Sequence, residues 1–331
     1  MKENDIRPTA MFNEYLRLAA HDATLYFGSA DRVAVPCPAC EAPGGAAFTK
    51  HGFMYELCEH CETLYVSPRP PASAFSQYYT ESASVEYWAT TFYRETAEAR
   101  RVKLWKPKAQ LVAALLEETP VAWTIVDVGG GYGLFAEEMR AATGRDPVVI
   151  EPGPSLARVC RERGLPVVQK FLEAVEPGDL PAGAKAFTSF ELFEHLHDPA
   201  AFLSRLLALM SPGDLFIFTT LSGGGVDIQV LWEHSKSVMP PHHLNFLNPA
   251  SLTILLRRVG FEVIRVTTPG ALDIDILANN VEHVSDRFWK SFLKTASEAE
   301  RQTWQRLISA SGRSSHMMAV ARKPAGAATH V

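Results

Sequence analysis

The chain has 331 residues, a formal net charge of −5, 47 % hydrophobic residues and 21 % charged residues, ordinary globular values with room for two or three domains. An acidic balance disfavours a phosphate-backbone partner, and no apolar run approaches the roughly 20 residues of a membrane span. Met1–Asp5 lacks the apolar core of a signal peptide, so a cytoplasmic location is expected. Residues 1–33 read as an N-terminal helical segment, with Phe12, Tyr15, Leu16, Ala19, Ala23 and Tyr26 on one helical face.

Cys37-x-x-Cys40 and Cys58-x-x-Cys61 follow, with seventeen residues between the pairs. Two tight turns at this spacing point four thiolates at one ion, the pattern of a structural zinc ribbon over 34–70. Four sulfur ligands leave no open position for catalysis, and a reducing cytoplasm disfavours two disulfides. A zinc deaminase needs His-x-Glu upstream of Pro36-Cys37-x-x-Cys40; the nearby His60-Cys61-Glu62 lies downstream, so that reading fails. Short strands are expected near Phe53–Leu57 and Leu64–Val66.

Residues 71–106 are rich in aromatics, including Tyr78, Tyr93 and Trp105, and read as a helical connector that is either a lid over a cleft or helices packed on the sheet. Arg100, Arg101, Lys103, Lys106 and Lys108, mixed with Glu95 and Glu98, read as a solvated helix face. From 107 the pattern alternates strand and helix. Strands are expected at Trp123–Val128, Pro147–Glu151, Leu165–Val168, Ala186–Phe190, Leu215–Leu221 and Phe261–Thr267, with a last strand from His316. Asp198 and Pro199 open one intervening helix, and Asn248-Pro249 opens another. This predicts an α/β fold, a doubly wound and mostly parallel sheet of seven strands spanning 107–323. Residues 271–315 read as a helical insertion and 324–331 as a disordered tail.

The first of these strands runs into Gly129, Gly131 and Gly133 and then a helix, and Glu151 ends the next strand. Glycines let a ligand approach the backbone, the helix start offers free N–H groups, and Glu151 can accept from two ribose hydroxyls; together they describe an adenosine site. A dinucleotide fingerprint would need a small residue where Leu134 stands, which disfavours a nicotinamide oxidoreductase.

The Asp127-x-Gly129-x-Gly131-x-Gly133 pattern resembles the first motif of Rossmann-like (class I) S-adenosylmethionine-dependent methyltransferases. Glu191-x-x-Glu194-His195-x-x-Asp198-Pro199 is similar to their block after the fourth strand, and Pro241-His242-His243-Leu244-Asn245-Phe246 to their segment after the fifth. The ribbon with its Ser67-Pro68-Arg69-Pro70 exit resembles the N-terminal zinc module of a bacterial subgroup tied to surface-polysaccharide or natural-product modification. Many relatives begin the fourth strand with Asp, where this chain has Lys185-Ala186-Phe187.

The resemblance implies a methyltransferase acting on a small molecule, a sugar, nucleotide sugar or secondary metabolite; an RNA methyltransferase gripping nucleic acid with the ribbon is the alternative. Expected cofactor contacts are Asp127, Gly129, Gly131, Gly133, Glu151 and Phe190. His243 and His195 are the candidate general bases, and Glu191 would orient one of them or bind substrate hydroxyls. His242 and His234 stand in reserve. Gly223-Gly224-Gly225 reads as a flexible connection that could gate the acceptor.

Overall fold

The computed structural model describes residues 1–325, so most of the expected tail, 326–331, lies outside the described residues. In chain order the strands are β1 (Gly44–Lys50), β2 (Phe53–Cys58), β3 (Leu64–Val66), β4 (Thr124–Val128), β5 (Val148–Ile150), β6 (Val167–Val168), β7 (Lys185–Phe190), β8 (Leu215–Leu221), β9 (Asn245–Phe246), β10 (Glu262–Thr267) and β11 (His316–Arg322). Seven of them form one sheet in the order β10-β11-β8-β7-β4-β5-β6. The central pairs β4–β5, β5–β6, β4–β7 and β7–β8 are parallel, and β11 inserts antiparallel between β8 and β10. This is the expected doubly wound fold.

Every residue of β7 and β8 is buried, as parallel strands covered on both faces require. Alternation along β4 splits the core. Val126 and Val128 join Phe187, Phe216 and Phe218 on one face, and Ile125 joins Ala186, Ile217 and Val320 on the other. From β4 the chain winds out through β5 and β6, then returns to β7 on the opposite side. The carboxyl ends of β4 and β7 therefore flank the switch point where ligands settle in such sheets.

The ribbon is not a free appendage. Its sheet runs β1-β2-β3-β9, so its last strand comes from the loop before the helix Pro249–Val259, paired Leu64↔Phe246 and Tyr65↔Asn245. Cys37, Cys58 and Cys61 pack in the same core as Phe218 and Leu252. Buried Arg69 ties the ribbon exit down, donating from Nε to the Val66 carbonyl (2.8 Å), from Nη2 to Asn245 Oδ1 (2.5 Å) and from Nη1 to the His197 carbonyl.

The helix Thr9–Phe27 packs on the segment after the ribbon, where Tyr15 meets Trp88 at 4.8 Å between ring centroids. From Ala83 to Glu117 the chain is helical without a break, with π-helical turns at Trp88–Phe92 and Arg101–Trp105. Such turns widen a helix and reset which side chains face inward.

Two expectations are corrected here. The basic run is a solvated face only in part: Lys103 and Lys106 are exposed, but Arg100 is buried over Trp88 and Tyr93, Arg101 pairs with Glu137 and Glu138, and Lys108 with Glu191. Gly223–Gly225 is not simply a flexible connection either. A Cβ on Gly223 would lie 2.8 Å from the Phe246 carbonyl oxygen and one on Gly225 2.3 Å from Ser315 Cα, so these glycines serve close backbone packing.

Candidate active site

The turn after β4 holds Gly129, Gly131 and Gly133 at φ of +71°, +55° and +71°, values a side chain resists. A Cβ on Gly133 would press Leu165 at 2.6 Å and Cys160 at 3.1 Å, so that glycine serves helix-to-strand packing. A Cβ on Gly131 would meet nothing within 4 Å, which marks an open cradle. Beside it the buried Glu151 carboxylate accepts from the Gly131 N–H (2.9 Å) and the Gly153 N–H (2.8 Å). Burial pushes its pKa up and these two N–H groups oppose the rise. Burial also pushes Asp127 up to about 7, against the Thr188 hydroxyl that donates to its Oδ1 at 2.9 Å.

Tyr93, Trp105, Asp127, Gly129, Gly130, Leu134, Phe135 and Phe190 line a cavity of about 20 Å³ at this turn, room for one water molecule. Tyr93 stacks on Tyr132 of the glycine turn (4.4 Å between centroids, 5° between planes), which brings the connector helix against that turn. The indole Nε1 of Trp105 is buried with no hydrogen-bond partner among the described residues. The open face of Gly131, the carboxylate of Glu151 and this unused donor fit a nucleoside bearing an amino-acid tail.

Glu191 leaves β7 at φ +55°, a strained conformation that its contacts maintain. Its Oε1 accepts from Lys108 Nζ (3.2 Å), Thr219 Oγ1 (3.0 Å) and His316 Nε2 (2.9 Å). Burial opposes ionisation, yet Lys108 and His316 together hold the carboxyl well below its ordinary value. Glu191 thus orients His316 rather than His195 or His243. Lys108 Nζ also lies 4.7 Å above the ring of Phe190, which joins this cluster to the cavity.

Next to it stand Glu194, His195 and His243, whose ligating atoms all lie within 4.8 Å of one another. Glu194 accepts from Thr220 Oγ1 at 3.0 Å, and burial with neighbouring Glu191 pushes it up to about 8. His243 donates from Nδ1 to the Ser237 carbonyl (2.6 Å), leaving the lone pair on Nε2. Burial brings His243 down to about 4 and His195 well below the usual imidazole value. A histidine held neutral so firmly is a weak proton acceptor, which lowers both as general bases. The reserve histidines fall away: His242 is bonded to the Tyr78 hydroxyl in a buried aromatic cluster, and His234 stacks on His283 at 4.5 Å on the surface. Glu194 lies within the quoted motif, but only its burial reveals it; His316, Lys108 and Thr219 carried no local signal.

The ribbon braces this site. Tyr55 donates its hydroxyl to the His243 carbonyl at 2.7 Å, Leu244 N–H donates to the Glu194 carbonyl at 2.8 Å, and Asn248 Nδ2 to the Cys61 carbonyl at 2.8 Å. Cys37 Sγ and Cys61 Sγ lie 3.5 Å apart, as do Cys40 Sγ and Cys58 Sγ. That is far beyond a disulfide and close to the sulfur spacing of a tetrahedral zinc site. Both knuckles turn on a left-handed residue just after the second cysteine, Glu41 at +63° and Glu62 at +56°.

Fold and site together define a class I, Rossmann-like, S-adenosylmethionine-dependent methyltransferase. A family model described as "Methyltransferase domain" matches residues 95–266, more than half of the chain, and the chain belongs to that family. Over 167 residues it is 29 % identical to a ubiquinone biosynthesis O-methyltransferase of Xanthomonas axonopodis pv. citri (strain 306), spanning 47 % of this chain and 69 % of the relative. A namesake from Xylella fastidiosa (strain 9a5c) is 31 % identical over 151 residues, 42 % of this chain and 61 % of the relative. Among solved structures, the plantazolicin methyltransferase BpumL with SAH is similar at 12 % identity and a TM-score of 0.48, over 76 % of this chain and 94 % of that one. A Thermotoga maritima protein described as a possible histamine N-methyltransferase is similar at 17 % identity and a TM-score of 0.43, over 70 % and 97 %. No helix among the described residues is long and apolar enough to cross a membrane.

Proposed function

We propose that this chain methylates a hydroxyl oxygen of a small polar acceptor, a sugar, nucleotide sugar or secondary metabolite, held between the glycine turn and the loop of His243. The observation that carries the reading is the convergence of Glu191, Glu194, His195, His243 and His316 at the carboxyl ends of β7 and β8, beside the cavity lined by Phe190. When bound, the cofactor supplies an electrophilic methyl on a sulfonium and a neutral thioether as leaving group. Glu151 takes the ribose hydroxyls and gives up its bond from Gly131. Gly129, Gly131 and Gly133 shape the turn, Asp127 braces it, and Trp105 offers its indole N–H to the amino-acid tail. Phe190 forms an apolar wall, and Tyr93 on Tyr132 keeps water out.

Alignment of acceptor oxygen, methyl carbon and sulfur is the chain's main contribution to the rate. Ionised Glu191 anchors Lys108 and His316 at the rim, where they can bind acceptor hydroxyls. Zinc held by Cys37, Cys40, Cys58 and Cys61 would be structural: it fixes the ribbon, which fixes the His243 loop. Its likeness to ubiquinone biosynthesis O-methyltransferases supports a small-molecule acceptor. The RNA reading is disfavoured by the net charge of −5 and by the diversion of Arg100, Arg101 and Lys108 to contacts within the chain.

The test is transfer of labelled methyl from S-adenosylmethionine into phenols, catechols, free sugars and nucleotide sugars, with RNA as comparison. Label in a hydroxyl compound, cut at least tenfold by Glu191→Gln, supports the reading; label in RNA alone, or in none, refutes it.

A further inference from the structure

We infer that Arg7 and Arg100 form a binding site for a phosphate group of the acceptor, single or part of a diphosphate, in the cleft between Tyr93 and His243. That the anion belongs to an acceptor rests on the methyltransferase reading above; that the two arginines bind it does not.

Both guanidinium groups lie against rings rather than carboxylates. Arg100 Cζ is 5.7 Å from the ring centroid of Trp88 and 5.2 Å from that of Tyr93, and Arg7 Cζ is 5.3 Å from that of Phe12. These rings belong to one surface: Phe12 meets Phe92 at 6.2 Å between centroids, and Phe92 stacks on Trp88 at 4.3 Å. Burial and, less strongly, the charge of Arg7 push the Arg100 pKa down. Two like charges drawn out of water are costly, and ring faces offset only part of that cost. An anion held between them offsets the rest.

The chain does not supply that anion. Neighbouring Arg101 has Glu137 at 2.6 Å and Glu138 at 2.9 Å. Arg100, only 7 % exposed, forms no ion pair among the described residues, and Nε of both Arg7 and Arg100 is buried with no hydrogen-bond partner. Glu191 is the carboxylate whose charge reaches Arg100, and its Oε1 is already taken by Lys108 and His316. Arg7 is half-buried, so the pair is open on one side.

Position favours the acceptor. Tyr93, which lies under Arg100, also lines the cavity at the glycine turn, and the charge of Arg7 acts on His243. A phosphate anchored there leaves the rest of the acceptor to extend toward Lys108 and His316. Charge decides which anion fits. Two guanidinium groups match the dianion of a phosphate monoester or the two charges of a diphosphate, and their N–H forks suit phosphate oxygens. One carboxylate would leave a positive charge over. Deep burial of Arg100 suits a single small anion rather than a nucleic-acid backbone. Among the acceptors proposed above, this selects sugar phosphates and nucleotide sugars.

Inorganic pyrophosphate is the probe. Full-length protein in chloride buffer is titrated with it by calorimetry, then with a glucose phosphate, UDP-glucose and glucuronate, and separately with S-adenosylmethionine. The expected result is one pyrophosphate per chain, and tighter binding of both phosphorylated sugars than of glucuronate. Pyrophosphate affinity should fall at least tenfold in Arg7→Gln and in Arg100→Gln, and stay unchanged in Arg257→Gln, at an exposed position on the helix Pro249–Val259. Retained S-adenosylmethionine affinity shows that each variant is folded; Arg7 is half-buried, so Arg7→Gln carries the comparison even where Arg100→Gln folds poorly. The stronger of the two phosphorylated sugars tells a single phosphate from a diphosphate. Absence of pyrophosphate binding, equal binding by wild type and Arg7→Gln, or tighter binding of glucuronate overturns the site. Loss of S-adenosylmethionine affinity with pyrophosphate affinity intact would assign the arginines to the donor's carboxylate and overturn it as well. Pyrophosphate binding without any donor binding would instead refute the methyltransferase reading and leave the anion site standing.

Discussion

Gly131 and Gly133 share nearly the same backbone conformation but face different surroundings, so the same substitution at each should fail differently. At either position valine must adopt a left-handed φ, which costs roughly 1–2 kcal/mol. At Gly131 the added atoms enter open space, so the cost to the fold ends there. At Gly133 the Cβ lies 2.6 Å from Leu165 and 3.1 Å from Cys160, and overpacking adds about 1–3 kcal/mol. For a chain of this length, roughly 2 °C of melting temperature corresponds to each kcal/mol. Gly131→Val should therefore melt about 2–4 °C below wild type and Gly133→Val about 4–10 °C below. Cofactor affinity should fall most in Gly131→Val, by at least about 100-fold or 2.8 kcal/mol, because the isopropyl group occupies the nucleoside's path. Thermal unfolding without ligand, paired with calorimetric titration of S-adenosylmethionine, separates the two effects. Wild-type affinity in Gly131→Val, or a melting temperature below that of Gly133→Val, would show that the cradle is misplaced.

Tyr55→Phe removes one hydrogen bond to the His243 carbonyl and leaves the ring packing; about 1 kcal/mol of stability should go, and methyl transfer should fall by more than cofactor affinity does. Equal loss in both would deny the ribbon a role in placing the loop. If the four cysteines hold zinc, chelation, like Cys58→Ser, should abolish transfer while lowering the melting temperature by several degrees, read by calorimetric scanning. Asp127 gives a pH signature. Its folded pKa near 7 lies above the unfolded value of 3.8, so its contribution is fully present below 3.8 and is lost as pH rises through 7. In ligand-free protein, Asp127→Asn should flatten a decline of at most about 1.4 kcal/mol per pH unit over that window, measured by urea unfolding. An unchanged slope would mean that Asp127 is not the group responsible.

The amino-acid order alone determined whatever depends on neighbours in the chain. The glycine turn between β4 and its helix, the four-cysteine spacing and the Asp198 cap (its side chain accepts from the Ala201 N–H at 2.9 Å) are all local, and each was legible. So was the sheet, because a buried parallel strand needs a continuous apolar run and β8 supplies one from Leu215 to Leu221. Tertiary structure decided what joins distant segments. Asn245–Phe246 is too short to register as a strand, and it becomes one only because the ribbon edge at Leu64 and Tyr65 offers unpaired backbone groups. His316 meets Glu191 across 125 residues because β11 inserts beside β8, and no periodicity encodes that meeting. Burial decided the rest: a sequence gives an acid or an imidazole its ordinary proton affinity, and only the packing around them brought His243 down to about 4 and raised Glu194 to about 8, so that both stay neutral near pH 7.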